Sequence, residues 1–166
     1  MKSDVTNKIL PSWCSFDDDR CLEGIEITER KAEMEFTNKA PLPEDYNALR
    51  ISSGMGNVKD LRKIEIAMSN SLFIVSVYDE KHLIALGRII GDGGISYAVS
   101  DIMVDKKYQR KGIANEIMNK IDEWFNANVD DNSFIMLLAN KPADLLYRKH
   151  RFQYLDIDNK VGMIRV

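Results

Sequence analysis

The clearest periodicity in the chain is helical. Ile113, Ala114, Ile117, Met118, Ile121, Trp124 and Phe125 recur at the spacing of one helix face, which predicts a long amphipathic helix lying on a sheet. Upstream the period is two, or dissolves into apolar runs. Lys31-Ala32-Glu33-Met34-Glu35-Phe36 alternates and predicts a first strand, stopped by Pro41-Leu42-Pro43. Asp45 to Ile51 is helix-like. A second helix is expected to start near Asn57, a good N-cap, with Val58, Leu61, Ile64 and Met68 on one face. Leu72 to Tyr78 and His82 to Ile90, separated by the turn residues Asp79-Glu80-Lys81, predict an antiparallel pair. Gly91-Asp92-Gly93-Gly94 reads as a hairpin turn, because it lies between two strands rather than opening a helix, and Ser96 to Val104 is the next strand. Phe134 to Ala139 is apolar at both parities, the pattern of a central strand covered on both faces. Pro142 fits a first helical turn and predicts a short helix to about His150; Phe152–Ile157 and Val161–Val166 read as a closing hairpin around Asp158-Asn159. The expected order is β-α-α-β-β-β-α-β-α-β-β.

Residues 1–30 stand apart from this pattern. They hold Pro11 and the acidic run Asp17-Asp18-Asp19 without a clean period, so they read as an extension of unknown role, either lid-like or a poorly ordered tail. The whole chain of 166 residues fits one domain, and its 45% hydrophobic and 30% charged composition is that of a globular protein. Lys plus Arg is 23 against 26 for Asp plus Glu, a net charge of −3 that speaks against a broad basic face and a nucleic-acid partner. Cys14 and Cys21 are the only cysteines and form no CxxC pair, so two free thiols in a reducing compartment are expected. The first eight residues have no apolar signal core and the longest apolar run, Phe134 to Ala139, is far short of a membrane span. A cytoplasmic protein without a membrane partner is the expectation.

Candidate chemistry concentrates between the Ser96–Val104 strand and the long helix. Tyr108-Gln109-Arg110-Lys111-Gly112-Ile113-Ala114 sets small residues at a helix entry, where free N–H groups and a partial positive charge favour an anion and where Gly112 and Ala114 let a phosphate approach the backbone. Arg110 and Lys111 add full charges. The alternative is a strand-to-helix turn with glycine for backbone reasons and basic residues for solubility. A P-loop is excluded, since no Gly-x-x-x-x-Gly-Lys-Ser/Thr occurs, and the dinucleotide fingerprint is absent as well. His82 and His150 lack partners at metal-ligand spacing and read as structural, so no metal is expected.

In these residues the chain resembles the GNAT superfamily of N-acetyltransferases, whose acetyl-CoA loop reads Gln/Arg-x-x-Gly-x-Gly/Ala; here it is Gln109-x-x-Gly112-x-Ala114. The strand ending Asp101-Ile102-Met103-Val104 comes before the loop and an amphipathic helix after it. Tyr147-Arg148-Lys149-His150-Arg151-Phe152 stands where the family usually has Tyr-x-x-x-Gly-Phe, with Arg151 replacing the glycine. The resemblance covers roughly residues 32–166 and implies one acetyltransferase domain over 31–166. The implied fold is α+β, a three-layer α/β sandwich of the acyl-CoA N-acyltransferase type: a mixed, mostly antiparallel sheet with a splay between the fourth and fifth strands. It implies acetyl-CoA as co-substrate. The backbone of Ile102, Met103 and Val104 would pair with the pantetheine arm, an amide at Ile102 or Met103 would serve the oxyanion, and Gln109, Arg110, Lys111, Gly112, Ile113, Ala114 and Asn115 would hold the pyrophosphate. Asn140 would touch the cofactor near the acyl end. Tyr147 would be the general acid, since a phenol with an unperturbed pKa near 10 keeps its proton at neutral pH.

Asp101 is the nearest carboxylate to the splay and a candidate base, although pairing with a cation is an equal alternative and water can deprotonate the amine instead. The acceptor wall is expected from the first two helices, including Tyr46, Arg50 and Ser52. Three functions remain open on the sequence: acetylation of a small-molecule amine, acetylation of a peptide or protein amine, and a non-catalytic acyl-CoA-binding module, which would have no need of Tyr147. The small amine is favoured. Oligomeric state is left open, a homodimer included.

Overall fold

The computed structural model describes residues 34–163. The N-terminal extension with Cys14 and Cys21, the opening Lys31-Ala32-Glu33 of the expected first strand, and 164–166 lie outside the described residues.

A five-stranded sheet in the order β1-β2-β3-β4-β5 forms from β1 (Met34–Thr37), β2 (Phe73–Asp79), β3 (His82–Gly91), β4 (Ser96–Val104) and β5 (Phe134–Met136). The first four pair antiparallel in sequence, and β5 runs parallel to β4. Both turns read from the sequence are present. Glu80 takes the left-handed conformation between β2 and β3, and the Asp92 carboxylate accepts from the Gly94, Ile95 and Ser96 amides to close the turn before β4.

Helices cover both faces. On one side α1 (Pro43–Ser53) and α2 (Leu61–Ser69) bury Leu49, Ile64 and Met68 against Ile74, Leu86 and Met103 of the sheet. On the other, α3 (Ile113–Asn128) buries Ile113, Ile117, Met118, Ile121 and Phe125 against Val75, Val77 and Ile89, the stripe that the periodicity predicts. The two apolar clusters are separate, so the described residues form a three-layer sandwich.

Three expectations need correction. The second helix starts at Leu61, not near Asn57: Asp60 is its N-cap, accepting from the Lys63 amide at 3.0 Å. Asn57 is committed elsewhere, its carbonyl accepting from Arg50 Nε at 3.2 Å, and the Asn47 side chain pins both backbone groups of Lys59 at 2.8 Å. The fifth strand is three residues long and lies at the sheet edge, so Phe134 and Met136 are 55% and 50% exposed rather than covered on both faces. No closing hairpin forms over 152–163. Asp156 instead organises a local turn, taking the Asn159 and Lys160 amides on its carbonyl, and a three-residue edge strand offers little ladder for pairing. The short helix is α4 (Asp144–Tyr147), continued by a 3₁₀ turn over Arg148–His150, with Pro142 in the turn before it.

Candidate active site

β4 and β5 are in register only from Ser96 and Phe134 to Ala98 and Met136. Beyond Ala98 the β5-side edge of β4 has no strand partner among the described residues, which is the expected splay. Within the splay β4 carries a bulge. Leu86 pairs with Met103 and Arg88 with Ser100, so Asp101 and Ile102 together stand opposite Gly87, with Asp101 at φ 53°. The extra residue re-aims the strand: Asp101 turns toward α1 while Ile102 packs with the α3 cluster. Gly87 makes this possible, since a Cβ there would lie 2.4 Å from Ile117 Cγ2 and 2.8 Å from Ile102 Cδ1.

The loop from Asp105 to Gly112 is braced at several points. Gln109 Nε2 donates to the Val104 carbonyl at 2.9 Å, the Tyr108 amide donates to the Asp105 carbonyl at 2.8 Å, and the Tyr108 hydroxyl reaches Asp79. Arg110 and Gly112 both take positive φ, 65° and 86°, as the chain turns into α3. Gly112 is the N-cap of α3, and nothing lies within 4 Å of where its Cβ would be. Among the described residues the amides of Gly112, Ile113 and Ala114 have no acceptor, whereas that of Asn115 is taken by the Gly112 carbonyl at 2.9 Å. These three amides open on a cleft of about 480 Å³ lined also by Ile102, Val104, Arg110, Asn115, Lys149 and Tyr147.

A second cleft of about 390 Å³ continues from it, sharing Ile102, Ala143 and Tyr147 and adding Ser100, Asp101, Met136 and Asn140. Tyr147 thus borders both. Its ring packs edge-on to Phe152 with centroids 6.3 Å apart, its hydroxyl has no partner among the described residues, and burial pushes its pKa above the usual value of 10.0. Arg151 takes φ 64° after the 3₁₀ turn, the conformation a glycine would adopt freely, and the Phe152 amide closes back on the Tyr147 carbonyl at 3.2 Å. His150, buried, faces Asp122 Oδ2 at 2.6 Å with Nδ1 and Asn115 Oδ1 at 3.2 Å with Nε2, and so fastens this segment to α3.

Asp101 sits in an ionic cluster. Its Oδ2 accepts from Arg88 Nε at 2.6 Å and from the Tyr46 hydroxyl at 2.9 Å, while Oδ1 lies 3.7 Å from Arg50 Nη1. The Arg50, Arg88 and Asp101 side chains are only 11%, 13% and 13% exposed. Burial, then the neighbouring Asp101 charge, pushes the Tyr46 hydroxyl above its usual pKa.

The structure therefore gathers Ile102, Val104, Gln109, Arg110, Gly112 to Asn115 and Tyr147 round one cleft, with Asp101 and Asn140 on its continuation. Two candidates sit differently from their expected use. Met103 is 1% exposed in the α1–α2 core, so only its backbone can meet a ligand. The Lys111 ammonium lies 4.9 Å from the centre of the Tyr108 ring, and the second cation lining the cleft is Lys149, which the sequence reading passed over. Lys149 lies two residues after Tyr147, a proximity that could have flagged it. Of the expected acceptor wall, Tyr46 and Arg50 line a third cavity, next to Asp101, and Ser52 does not; its carbonyl accepts from the Lys106 amide at 3.2 Å. A larger cavity, about 620 Å³, lies by the far end of α3 near Asp130 and Phe152 and is lined by none of the loop residues. Among the described residues no group of three or more His, Cys, Asp or Glu is gathered as a metal site, and no helix is long and apolar enough to cross a membrane.

Comparison with known proteins agrees with this geometry. The model of the Acetyltransferase (GNAT) family matches residues 40–152. A solved protein of unknown function from meticillin-resistant Staphylococcus aureus, described as a probable acetyltransferase, is 36% identical over 81% of this chain and 100% of its own, with a TM-score of 0.74. A GNAT family acetyltransferase from Streptococcus pneumoniae is 26% identical over 81% of this chain and 96% of its own, with a TM-score of 0.63. A protein from Clostridium acetobutylicum, described as a predicted acetyltransferase with acetyl-CoA, shares the fold at 16% identity, covering 80% of this chain and 96% of its own with a TM-score of 0.61. Among curated proteins, none matches the chain.

Proposed function

Because the chain belongs to the Acetyltransferase (GNAT) family, we propose that it transfers the acetyl group of acetyl-CoA directly to the primary amine of a small molecule. The observation that carries this reading is the continuity of the two clefts through Tyr147 and Ile102, which joins three unpartnered amides to a phenol and a carboxylate. The amides of Gly112, Ile113 and Ala114, with Arg110 and Lys149 beside them, suit a pyrophosphate. The splayed edge of β4 suits the amide-bearing pantetheine arm, added as a strand would be.

In this reading a neutral amine attacks the thioester carbonyl, the C–N bond forms, the oxyanion is met by a backbone amide at Ile102 or Met103, and the C–S bond then breaks. Tyr147 gives its proton to the departing thiolate. Asp101 has one oxygen already committed to Arg88 and Tyr46, which leaves Oδ1 to orient the incoming amine or, directly or through water, to receive its proton. We take residues 31–166 as the acetyltransferase domain, round the matched stretch 40–152, and the cytoplasm as its compartment.

The test couples binding to turnover. Acetyl-CoA titrated by calorimetry should bind the native chain and fail to bind Gly112→Glu, whose carboxylate would occupy the open space in front of the loop amides. Thiol release over a panel of amines should follow binding. Unchanged affinity in a folded Gly112→Glu variant, or binding with no thiol release to any amine or peptide, would overturn the reading.

A further inference from the structure

The cavity on the α1–α2 side of Asp101 has a charge unlike that of the rest of the chain. It measures about 420 Å³ and is lined by Arg50, Lys59, Lys63 and Arg88 against two carboxylates, Asp60 and Asp101, in a chain of net charge −3. Both carboxylates are already engaged by the protein. Asp60 caps α2, and Asp101 alone faces two guanidinium groups, at 2.6 and 3.7 Å. One negative charge between two positive ones leaves the buried cluster a unit positive, and unlike a surface cation it cannot recover that charge by full hydration.

Donor capacity points the same way. Arg50 spends its nitrogens on the Asn57 and Met55 carbonyls and the Tyr46 hydroxyl, and Arg88 spends Nε on Asp101 and Nη1 on Ser71 Oγ at 3.2 Å. Arg88 Nη2 has no partner among the described residues. Lys59 and Lys63, both exposed, stand at the mouth. This arrangement of a fixed guanidinium behind mobile ammonium groups attracts and holds an anion. Asp101 also borders the cleft that contains Tyr147, so a molecule held by its anionic end in this cavity can present an amine to that cleft.

We infer that the acceptor is a small amine that also carries a carboxylate or a phosphate, with the anionic group seated between Arg88 and Lys63 and the amine directed past Asp101. The inference rests on the acetyltransferase reading, and its test separates the two. β-Alanine, phosphoethanolamine and ethanolamine share a two-carbon amine and differ in carrying a carboxylate, a phosphate or neither. With acetyl-CoA saturating, kcat/KM from thiol release should favour one or both anionic amines over ethanolamine by about tenfold or more, the better of the two naming the anion. Lys63→Glu, and independently Lys59→Glu, should remove most of that preference while acetyl-CoA affinity stays unchanged.

Equal rates for ethanolamine and both anionic amines, or a preference untouched by both charge reversals, would overturn the inference. If none of the three supports thiol release, the wider panel of amines and peptides decides the acetyltransferase reading, and calorimetry decides the anion site by itself. β-Alanine or phosphoethanolamine binding that Lys63→Glu weakens about tenfold upholds the site, and no binding of either overturns it.

Discussion

Tyr147→Phe is the sharpest probe of the proposed chemistry, because the structure isolates what the hydroxyl does. It has no hydrogen-bond partner among the described residues, so its loss strands no buried group, and the ring keeps its edge-on contact with Phe152 at 6.3 Å. Stability should change by no more than about 0.5 kcal/mol and acetyl-CoA affinity should hold. Turnover should fall by about 10²-fold or more, a loss of about 2.7 kcal/mol of transition-state stabilisation, if the proton for the thiolate comes from this phenol. The pH dependence carries a second signature. Burial raises the phenol's pKa above 10.0, so the acid form persists beyond that value and the alkaline fall in kcat of the native chain should lie above pH 10.0. The sign for stability is the same: the contribution is complete below the unfolded-state value near 10 and is lost as pH rises through the higher folded-state value, and Tyr147→Phe should flatten that loss. Thiol release at saturating acetyl-CoA with a responsive amine, calorimetry and thermal melts measure the three quantities. Native turnover in the variant would refute the acid role; an equal loss of cofactor binding would make the hydroxyl structural.

Three further outcomes follow from the geometry. Asp101→Ala leaves two guanidinium groups facing each other at 11% and 13% exposure and should cost about 3–5 kcal/mol, or about 6–20 °C in Tm, whereas Asp101→Ala with Arg88→Met should recover much of that; additive losses in a double-mutant cycle would deny the coupling. Arg151→Gly removes a non-glycine residue from φ 64° and should stabilise the fold by about 1 kcal/mol, raising Tm by about 2–4 °C; an unchanged or lower Tm refutes the strain. His150→Ala removes both ring contacts, to Asp122 and to Asn115 beside the loop, and should cost about 1.5–3 kcal/mol in denaturant melts and raise KM for acetyl-CoA, while an unchanged KM would uncouple this latch from the loop.

What the sequence revealed and what it hid divide along a physical line. Periodicity reports which face of an element is buried, so Ile113 to Phe125, the β2–β3 pair and the turns at Glu80 and Asp92 were all legible. The Gln109–Ala114 loop was legible because its signature is local, a glycine and small residues at a helix entry. The Arg88–Asp101 pair was not, since its members are thirteen residues apart and meet only through a bulge that periodicity cannot register. A trace existed: Arg88 is the one charge in the apolar run Leu83 to Ile90, and a charge in a buried strand demands a partner. Asn57 and Asp60 are equally good caps by residue type, and tertiary bonds, from Arg50 to the Asn57 carbonyl and from the Asn47 side chain to the Lys59 backbone, accompany the start at Asp60. Phe134 to Ala139 misled because an apolar run records tolerance of burial without saying which neighbours arrive to cover it.

The separation of the two apolar clusters has a consequence for redesign. The Gln109–Ala114 loop is framed by α3 and its face of the sheet, while the cationic cavity lies on the other face, between Arg88 and Asp101 of the sheet and α1, α2 and the short segment joining them, held by bonds from Asn47 and Arg50. Under the proposed function, a transplanted α1–α2 hairpin would therefore retool acceptor choice while leaving the Gln109–Ala114 loop in place, much as a toolholder accepts a new bit. The graft must match the sheet residues Ile74, Leu86 and Met103, and also the bulge where the two sides meet, Asp101 facing α1 and Ile102 the α3 cluster; any donor hairpin must be cut to fit both before its own side chains can matter.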